Sequence, residues 1–281
     1  LHKMTMFEMD LWMSMAYFIE QQVDYCIIEA GMGGRLDATT ALDHKACLIT
    51  NVGLDHTEYL GETFEQIAYE KSGVFKPNVP ALTTEDKPEC QKVMELVADY
   101  MKTPLCFIDC QETDVLRWNG MTFHLNPPLY QAKNLSLALE TLNVLGIWLE
   151  ENEIQQVIDH FQWAGRYMVL RKDPLVLLDG AHNVHGITAL TRSLKDFTGK
   201  IYFSVLKEKD APHMIELLQS ISKDITLVEI SSARLYPLEK LGYPIITVDE
   251  LISRLLNTKE DSLLCGSLYY VGEVLEKWGN V

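Results

Sequence analysis

An α/β architecture follows from three features of this 281-residue chain. Short apolar runs recur along it, each too hydrophobic to be a half-exposed strand. From about Gly165 onward, strands near Val176, Tyr202, Thr226, Ile245 and Leu263 alternate with helical patterns at intervals of about 20–25 residues, the rhythm of βαβ units around a mainly parallel sheet. Acids, imidazoles and amides gather where such runs end, the edge at which open α/β sheets bind ligands.

The elements can be justified in order. Thr5-Met6-Phe7-Glu8 forms a capping-box pattern that opens a helix with Phe7, Leu11, Met15, Phe18 and Ile19 at helical spacing. Asp24 precedes a buried strand over residues 25–30, and a second buried strand is expected over residues 46–52. Thr63-Phe64-Glu65-Gln66 is another capping box, its helix ending near Gly73. A short strand over 79–83, a helix over 86–101 and a strand over 105–108 follow. Asn119-Gly120 between two apolar runs predicts a hairpin with a type I′ turn, because Asn and Gly accept positive φ. Helices are expected over 131–145 and 151–161. The change of rhythm places a domain boundary near Trp163, giving domains 1–162 and 163–281.

Composition narrows the function. Hydrophobic residues make up 47% and charged residues 23%, as in an ordinary soluble globular protein. No apolar run approaches the roughly 20 residues that span a membrane, and no signal peptide is visible. A start at Leu1 suggests that the natural N-terminus lies upstream. The net charge of −16 argues against nonspecific nucleic-acid binding, which needs a basic footprint. It also means that a phosphate-bearing or polycarboxylate substrate needs Mg²⁺ or local Lys and Arg. Of the six cysteines, Cys26, Cys47 and Cys265 fall in strand-like runs, while Cys106 and Cys110 have no second pair at zinc spacing. Buried free thiols in a reducing cytoplasm are expected.

Each chemical cluster has two readings. Glu29 ends an apolar run and precedes a glycine-rich stretch, Gly31-Met32-Gly33-Gly34, so it is either a carboxylate facing a cation or part of a tight turn. No Lys-Ser/Thr pair follows, so this is not a nucleotide P-loop. His56, at the end of the next run, is a metal ligand or a structural hydrogen-bonder. Lys71 near a helix end is a surface lysine favoured by the helix dipole or, held near a metal, a chemically useful amine. Arg166 reaches a phosphate or makes an ion pair. Asp179, His182 and Asn183 sit where a buried strand meets a helix, as anion-site residues or as caps. Ser267 caps the last helix or contacts substrate.

Seven stretches occur together: EAGMGGRLDAT at 29–39, TNVGLDHTEYLG at 50–61, IAYEKSG at 67–73, QAKN at 131–134, Gly165-Arg166, LDGAHN at 178–183 and GSLYYVGE at 266–273. In this combination and order the chain resembles the bifunctional dihydrofolate synthase/folylpolyglutamate synthase group of Mur-type ligases. The resemblance implies a Mur-ligase-like central domain with a truncated parallel sheet, followed by a smaller Rossmann-like C-terminal α/β domain. It implies an ATP-dependent ligase that activates a pteroate or folate carboxylate as an acyl phosphate for attack by L-glutamate, with Mg²⁺ between phosphate oxygens. By position, Glu29 and His56 would bind Mg²⁺, and Lys71 would be the lysine carbamylated in this family. Asn134, Arg166 and Asp179 would contact ATP, and His182 and Ser267 would lie near glutamate and the acyl phosphate. Phe7, Asp37 and Ala38 would fall at the pterin-bearing substrate, although Phe7 reads equally as a core residue. Thr40 and Val184 depart mildly from the family pattern, and its N-terminal P-loop and serine-bearing loop are not in the sequence. These 281 residues alone are therefore expected to be inactive, and the strand bearing Glu29 to lack a neighbour. A cytoplasmic monomer is expected. The rivals are a Mur-type cell-wall ligase, which RLDAT at 35–39 disfavours, and a non-catalytic remnant that binds nucleotide or folate.

Overall fold

The computed structural model describes residues 3–126 and 128–279. Along the chain the elements are α1 (Met6–Gln21), β1 (Cys47–Ile49), α2 (Thr57–Leu60), α3 (Phe64–Ser72), β2 (Ala81–Thr83), α4 (Pro88–Met101) and β3 (Leu105–Phe107). There follow β4 (Val115–Trp118), β5 (Met121–His124), α5 (Gln131–Val144), α6 (Glu151–His160), β6 (Met168–Lys172), β7 (Leu175–Asp179) and α7 (Val184–Ser193). The last are β8 (Lys200–Phe203), α8 (Ala211–Leu218), β9 (Ile225–Glu229), β10 (Ile245–Thr247), α9 (Val248–Asn257), β11 (Ser262–Cys265) and α10 (Leu268–Trp278). Two compact units result: Leu1–Gln111 with Lys133–Leu149, and Glu112–Ala132 with Glu150–Val281.

The first unit holds a parallel sheet in the order β1-β2-β3. Its core comprises Ile49, Val52, Ile67, Ala68, Phe75, Ala81 and Met94 among others. Both expected capping boxes form: Thr5 and Glu8 satisfy each other's amides at the start of α1, as Thr63 and Gln66 do for α3.

Two expectations fail here. Residues 25–30 are not a strand, and Tyr25, Cys26, Ile27 and Glu29 are exposed, Ile27 to 95%. The helical face of α1 is not core-facing either: the helix buries no residue, and Phe7 and Ile19 are exposed. The physical reason is the same for both. Apolar composition marks residues that gain by burial, but a ladder partner and a covering layer must be supplied by other segments. Likewise the second predicted strand is only β1, and its Leu48 faces solvent. All six cysteines are free, with Cys47, Cys90 and Cys265 buried; Cys26 and Cys106, expected inside, are exposed.

The second unit carries a six-stranded sheet in the order β10-β9-β8-β11-β7-β6. All its pairings are parallel except that of β6 with β7. Successive residues of β7 feed opposite faces: Leu177 joins Ile187, Phe203 and Leu263 on one side, and Val176 and Leu178 join Tyr202, Leu264 and Tyr270 on the other. A sheet covered on both faces reads as a continuous apolar run, and each fully buried Leu or Ile contributes about 1.5–3 kcal/mol. The β4–β5 hairpin turns through Asn119 and Gly120, both at positive φ. Its backbone is tied to α6 by Glu151 and Gln155, which accept from the Thr122 and His124 amides at 2.9 and 3.0 Å.

Candidate active site

In the first unit, the glycine-rich loop after Glu29 is seated on the last turn of α3. The Arg35 amide donates to the Glu70 carbonyl at 2.8 Å, and the Arg35 side chain pairs with the Glu70 carboxylate at 2.8–2.9 Å. Glycine is required at this contact: a Cβ on Gly34 would stand 2.7 Å from the Lys71 carbonyl, and one on Gly73 only 2.2 Å from the Arg35 Cα. The loop thereby meets the turn that carries Lys71. Burial lowers the Lys71 ammonium pKa, opposed by the nearby Asp55 carboxylate. Asp55 also accepts from the His56 amide at 2.9 Å. His56 has φ 51°, a left-handed backbone uncommon outside glycine, at the start of α2. Glu29, His56 and Asn134 are exposed, and Asn134 lies on α5 next to Lys133, which pairs with Asp86 at 2.6 Å.

Phe7 packs its ring on the same loop, 2.9 Å from where a Gly31 Cβ would stand. Asp37 turns inward: its carboxylate accepts from the Met32 amide at 2.9 Å, the Thr39 amide at 3.0 Å and the Thr39 hydroxyl at 2.6 Å. Partial burial would raise its pKa, but these bonds outweigh that and hold it below the ordinary carboxylate value. It caps the short 3₁₀ turn Ala38–Ala41, which begins with Ala38.

In the second unit, Asp179 ends β7 and is 3% exposed. Its two carboxylate oxygens accept from the Tyr167 and Ala181 amides, each at 2.7 Å. Burial raises its pKa, opposed by those amides and by Arg166 and His182. The Arg166 guanidinium lies over Gly180, where a Cβ would be 2.3 Å from its terminal nitrogen, and the Gly180 amide bonds the Gly165 carbonyl at 2.7 Å. His182 Nδ1 is 2.8 Å from the Gly180 carbonyl. Nδ1 is therefore the protonated nitrogen of the neutral ring and Nε2 the basic one. Asn183 caps α7 by accepting from the Gly186 amide at 2.8 Å. Ser267, 1% exposed, caps α10 through the Tyr269 amide at 3.2 Å. Asp179 and Cys265 are register partners, so Ser267 follows the same sheet edge. One residue near this cluster carried no sequence signal: Tyr130, whose hydroxyl pKa is raised by burial and by Asp179. A single tyrosine before a helix matches no motif.

The Mur ligase middle domain family matches residues 2–125. The dihydrofolate synthase/folylpolyglutamate synthase of Buchnera aphidicola subsp. Acyrthosiphon pisum is 32% identical over 298 residues, spanning 97% of this chain and 71% of that protein. The chain belongs to the dihydrofolate synthase/folylpolyglutamate synthase family. Solved structures of family members agree. The Yersinia pestis bifunctional enzyme complexed with AMPPNP and Mn superposes with a TM-score of 0.85 at 26% identity, over 99% of this chain and 72% of that one. E. coli FolC in complex with DHPP and ADP gives 0.84 at 27% identity, over 99% and 72%. The α/β architecture with Mur-ligase-like and Rossmann-like parts is thus that of the family. Among the described residues, no helix is long and apolar enough to cross a membrane.

Proposed function

We propose that this chain is an ATP-dependent ligase that adds L-glutamate to dihydropteroate, to tetrahydrofolate (poly)glutamate, or to both, through an acyl-phosphate intermediate. The observation that carries the reading is the Asp179 turn. A buried carboxylate pinned by two amides, a guanidinium over Gly180 and an imidazole of defined tautomer meet at one sheet edge, in a chain of this family. Arg166 and Asp179 would contact ATP together with Asn134. His182, with Nε2 as its basic nitrogen, would hold or move a proton beside the glutamate amine. Ser267 would act near the acyl phosphate, its hydroxyl already engaged as a helix cap.

Glu29 and His56 would hold Mg²⁺. Among the described residues no three His, Cys, Asp or Glu side chains gather to hold a metal. A cation bound by one or two protein groups and completed by phosphates and water suits that donor set, which is how Mg²⁺ is usually held in nucleotide enzymes. When bound, it would neutralise charge on the transferring phosphoryl group. The depressed pKa of Lys71 supports its reading as the lysine that is carbamylated, since an uncharged amine is what reacts with CO₂. Phe7, Asp37 and Ala38 would border the pterin-bearing substrate. We divide the chain functionally at 162/163, and we place it as a monomer in the cytoplasm, where free thiols persist.

The test is ADP release by the native protein, dependent on ATP, Mg²⁺ and glutamate, with dihydropteroate compared against tetrahydrofolate. Stimulation by either acceptor is expected. Nucleotide binding without acceptor-dependent ADP release favours the non-catalytic reading.

A further inference from the structure

Beyond the ends of β1 and β2, residues 84–87 bond the segment that follows β1. The Thr84 hydroxyl donates to the Thr50 carbonyl at 2.6 Å. Glu85 is 2% exposed, and its side chain is wholly shielded from solvent. One carboxylate oxygen accepts from the amide of Val52, itself fully buried. The other accepts from the Asp86 and Lys87 amides at 3.1 and 2.8 Å and pairs with the Lys87 ammonium at 3.1 Å. The Glu85 backbone is fixed as well: its amide donates to Thr83 Oγ1 at 3.0 Å, and its carbonyl accepts from Gln91 Nε2 at 2.8 Å. The neighbouring Asp86 pairs with Lys133, the residue before Asn134.

A buried carboxylate is costly to desolvate, and it persists only where its oxygens are satisfied. One oxygen of Glu85 holds its own turn, and the other ties Val52, in the segment that leads to His56, to the turn after β2. We propose that Glu85 is a positioning residue for the proposed ligase reaction: it sets the path of Val52–His56 and so the place of His56, while Asp86 sets the start of α5 and so Asn134. This rests on the roles proposed above for His56 and Asn134.

Glu85→Gln keeps the shape but turns one acceptor into a donor, which cannot serve both the Val52 amide and the Asp86–Lys87 amides. Two measurements follow on the intact chain: amide hydrogen exchange along it, and Mn²⁺ affinity read from the free-ion electron paramagnetic resonance signal. The variant is expected to speed exchange over Val52–His56 and to weaken Mn²⁺ binding about 10–100-fold, the usual effect of removing the support behind a metal ligand. Asp86→Asn is expected to weaken ADP binding up to about five-fold while leaving Mn²⁺ binding unchanged. Unchanged exchange over Val52–His56, or loosened exchange with unaltered Mn²⁺ affinity, overturns the proposal and leaves Glu85 a merely structural carboxylate. If Glu85→Gln does not fold, Thr84→Val removes the Thr50 contact alone, with the same direction expected at smaller size. Failure of the unsubstituted protein to bind Mn²⁺ sinks the metal role of His56, and the positioning role of Glu85 falls with it whatever the exchange rates show.

Discussion

Residues 25–29 and residues 175–179 have nearly the same plan: Tyr-Cys-Ile-Ile-Glu in one unit, Leu-Val-Leu-Leu-Asp in the other. Each is an apolar run ending in an acid just before a turn. The second is a strand with β6 on one side and β11 on the other, covered on both faces, and its acid is pinned by two amides. The first forms no strand and exposes Ile27, and its acid faces solvent. The contrast shows that composition states a need for burial, whereas neighbours decide whether it is met. It also separates two kinds of acid. Asp179 is preorganised and desolvated, while Glu29 is exposed to solvent.

The largest expected effect tests the well-built end of that comparison. His182→Ala removes the imidazole beside the Asp179 turn without touching its two amide bonds. Turnover of the native protein is expected to fall about 10²–10⁴-fold, with little change in melting temperature. Near-normal kcat would remove His182 from the mechanism.

The next separates the two runs energetically. Leu178→Ala is expected to cost about 2–5 kcal/mol by denaturant unfolding, because a buried side chain leaves a cavity. Ile27→Ala is expected to stay within about 0.5 kcal/mol, as for other surface changes. Equal costs would mean that Ile27 is covered in solution, and the contrast would fail.

What could be read from the residues alone divides along the same line. Capping boxes at Thr5 and Thr63 and the Asn119-Gly120 turn were legible because the groups that make them lie within a few residues. The parallel rhythm after Gly165 was legible because burial on both faces leaves continuous apolar runs. The antiparallel edge strand β6 was not, since Met168–Lys172 mixes apolar and basic residues and takes its structure from β7. The exposure of residues 25–30 was not either, because it depends on what stacks beside them. At the site, Arg166, Asp179 and His182 were singled out by type and do meet. Glu85 and Tyr130 were missed, since a lone acid after a strand or a lone tyrosine acquires meaning only from distant partners.

Asp179→Asn tests the cost of the well-built end. An amide has one oxygen acceptor where the carboxylate serves two N–H groups, so one of the Tyr167 and Ala181 amides loses its partner, at about 1–3 kcal/mol. The sign of the pH dependence follows from the raised pKa. The charged form is disfavoured by the fold, so this group penalises stability above its folded pKa. The penalty fades as pH falls through that value and is gone below the unfolded one, near 4. The stability advantage of the parent over Asp179→Asn should therefore grow on acidification through that window. A constant difference across it would show that the amides and the neighbouring cations fully offset the burial of Asp179.

The smallest effect has the opposite sign and lies in the first unit. Asp37 is held below the ordinary carboxylate value by the Met32 and Thr39 groups, so its contribution is complete above the unfolded pKa and is lost as pH falls through the folded one. Asp37→Ala removes the cap of the turn at Ala38 and should cost about 0.5–2 kcal/mol at neutral pH. The pH-dependent share is at the low end, because the group is partly exposed and screened by solvent. Unlike Asp179→Asn, the difference from the parent should shrink on acidification. Two acids in one chain would then respond to pH in opposite directions, one because its oxygens are desolvated and one because its hydrogen bonds outweigh the little burial it has. If both differences moved the same way, hydrogen bonding at Asp37 would not dominate over burial, and the loop after Glu29 would have to be held by the Arg35–Glu70 pair instead.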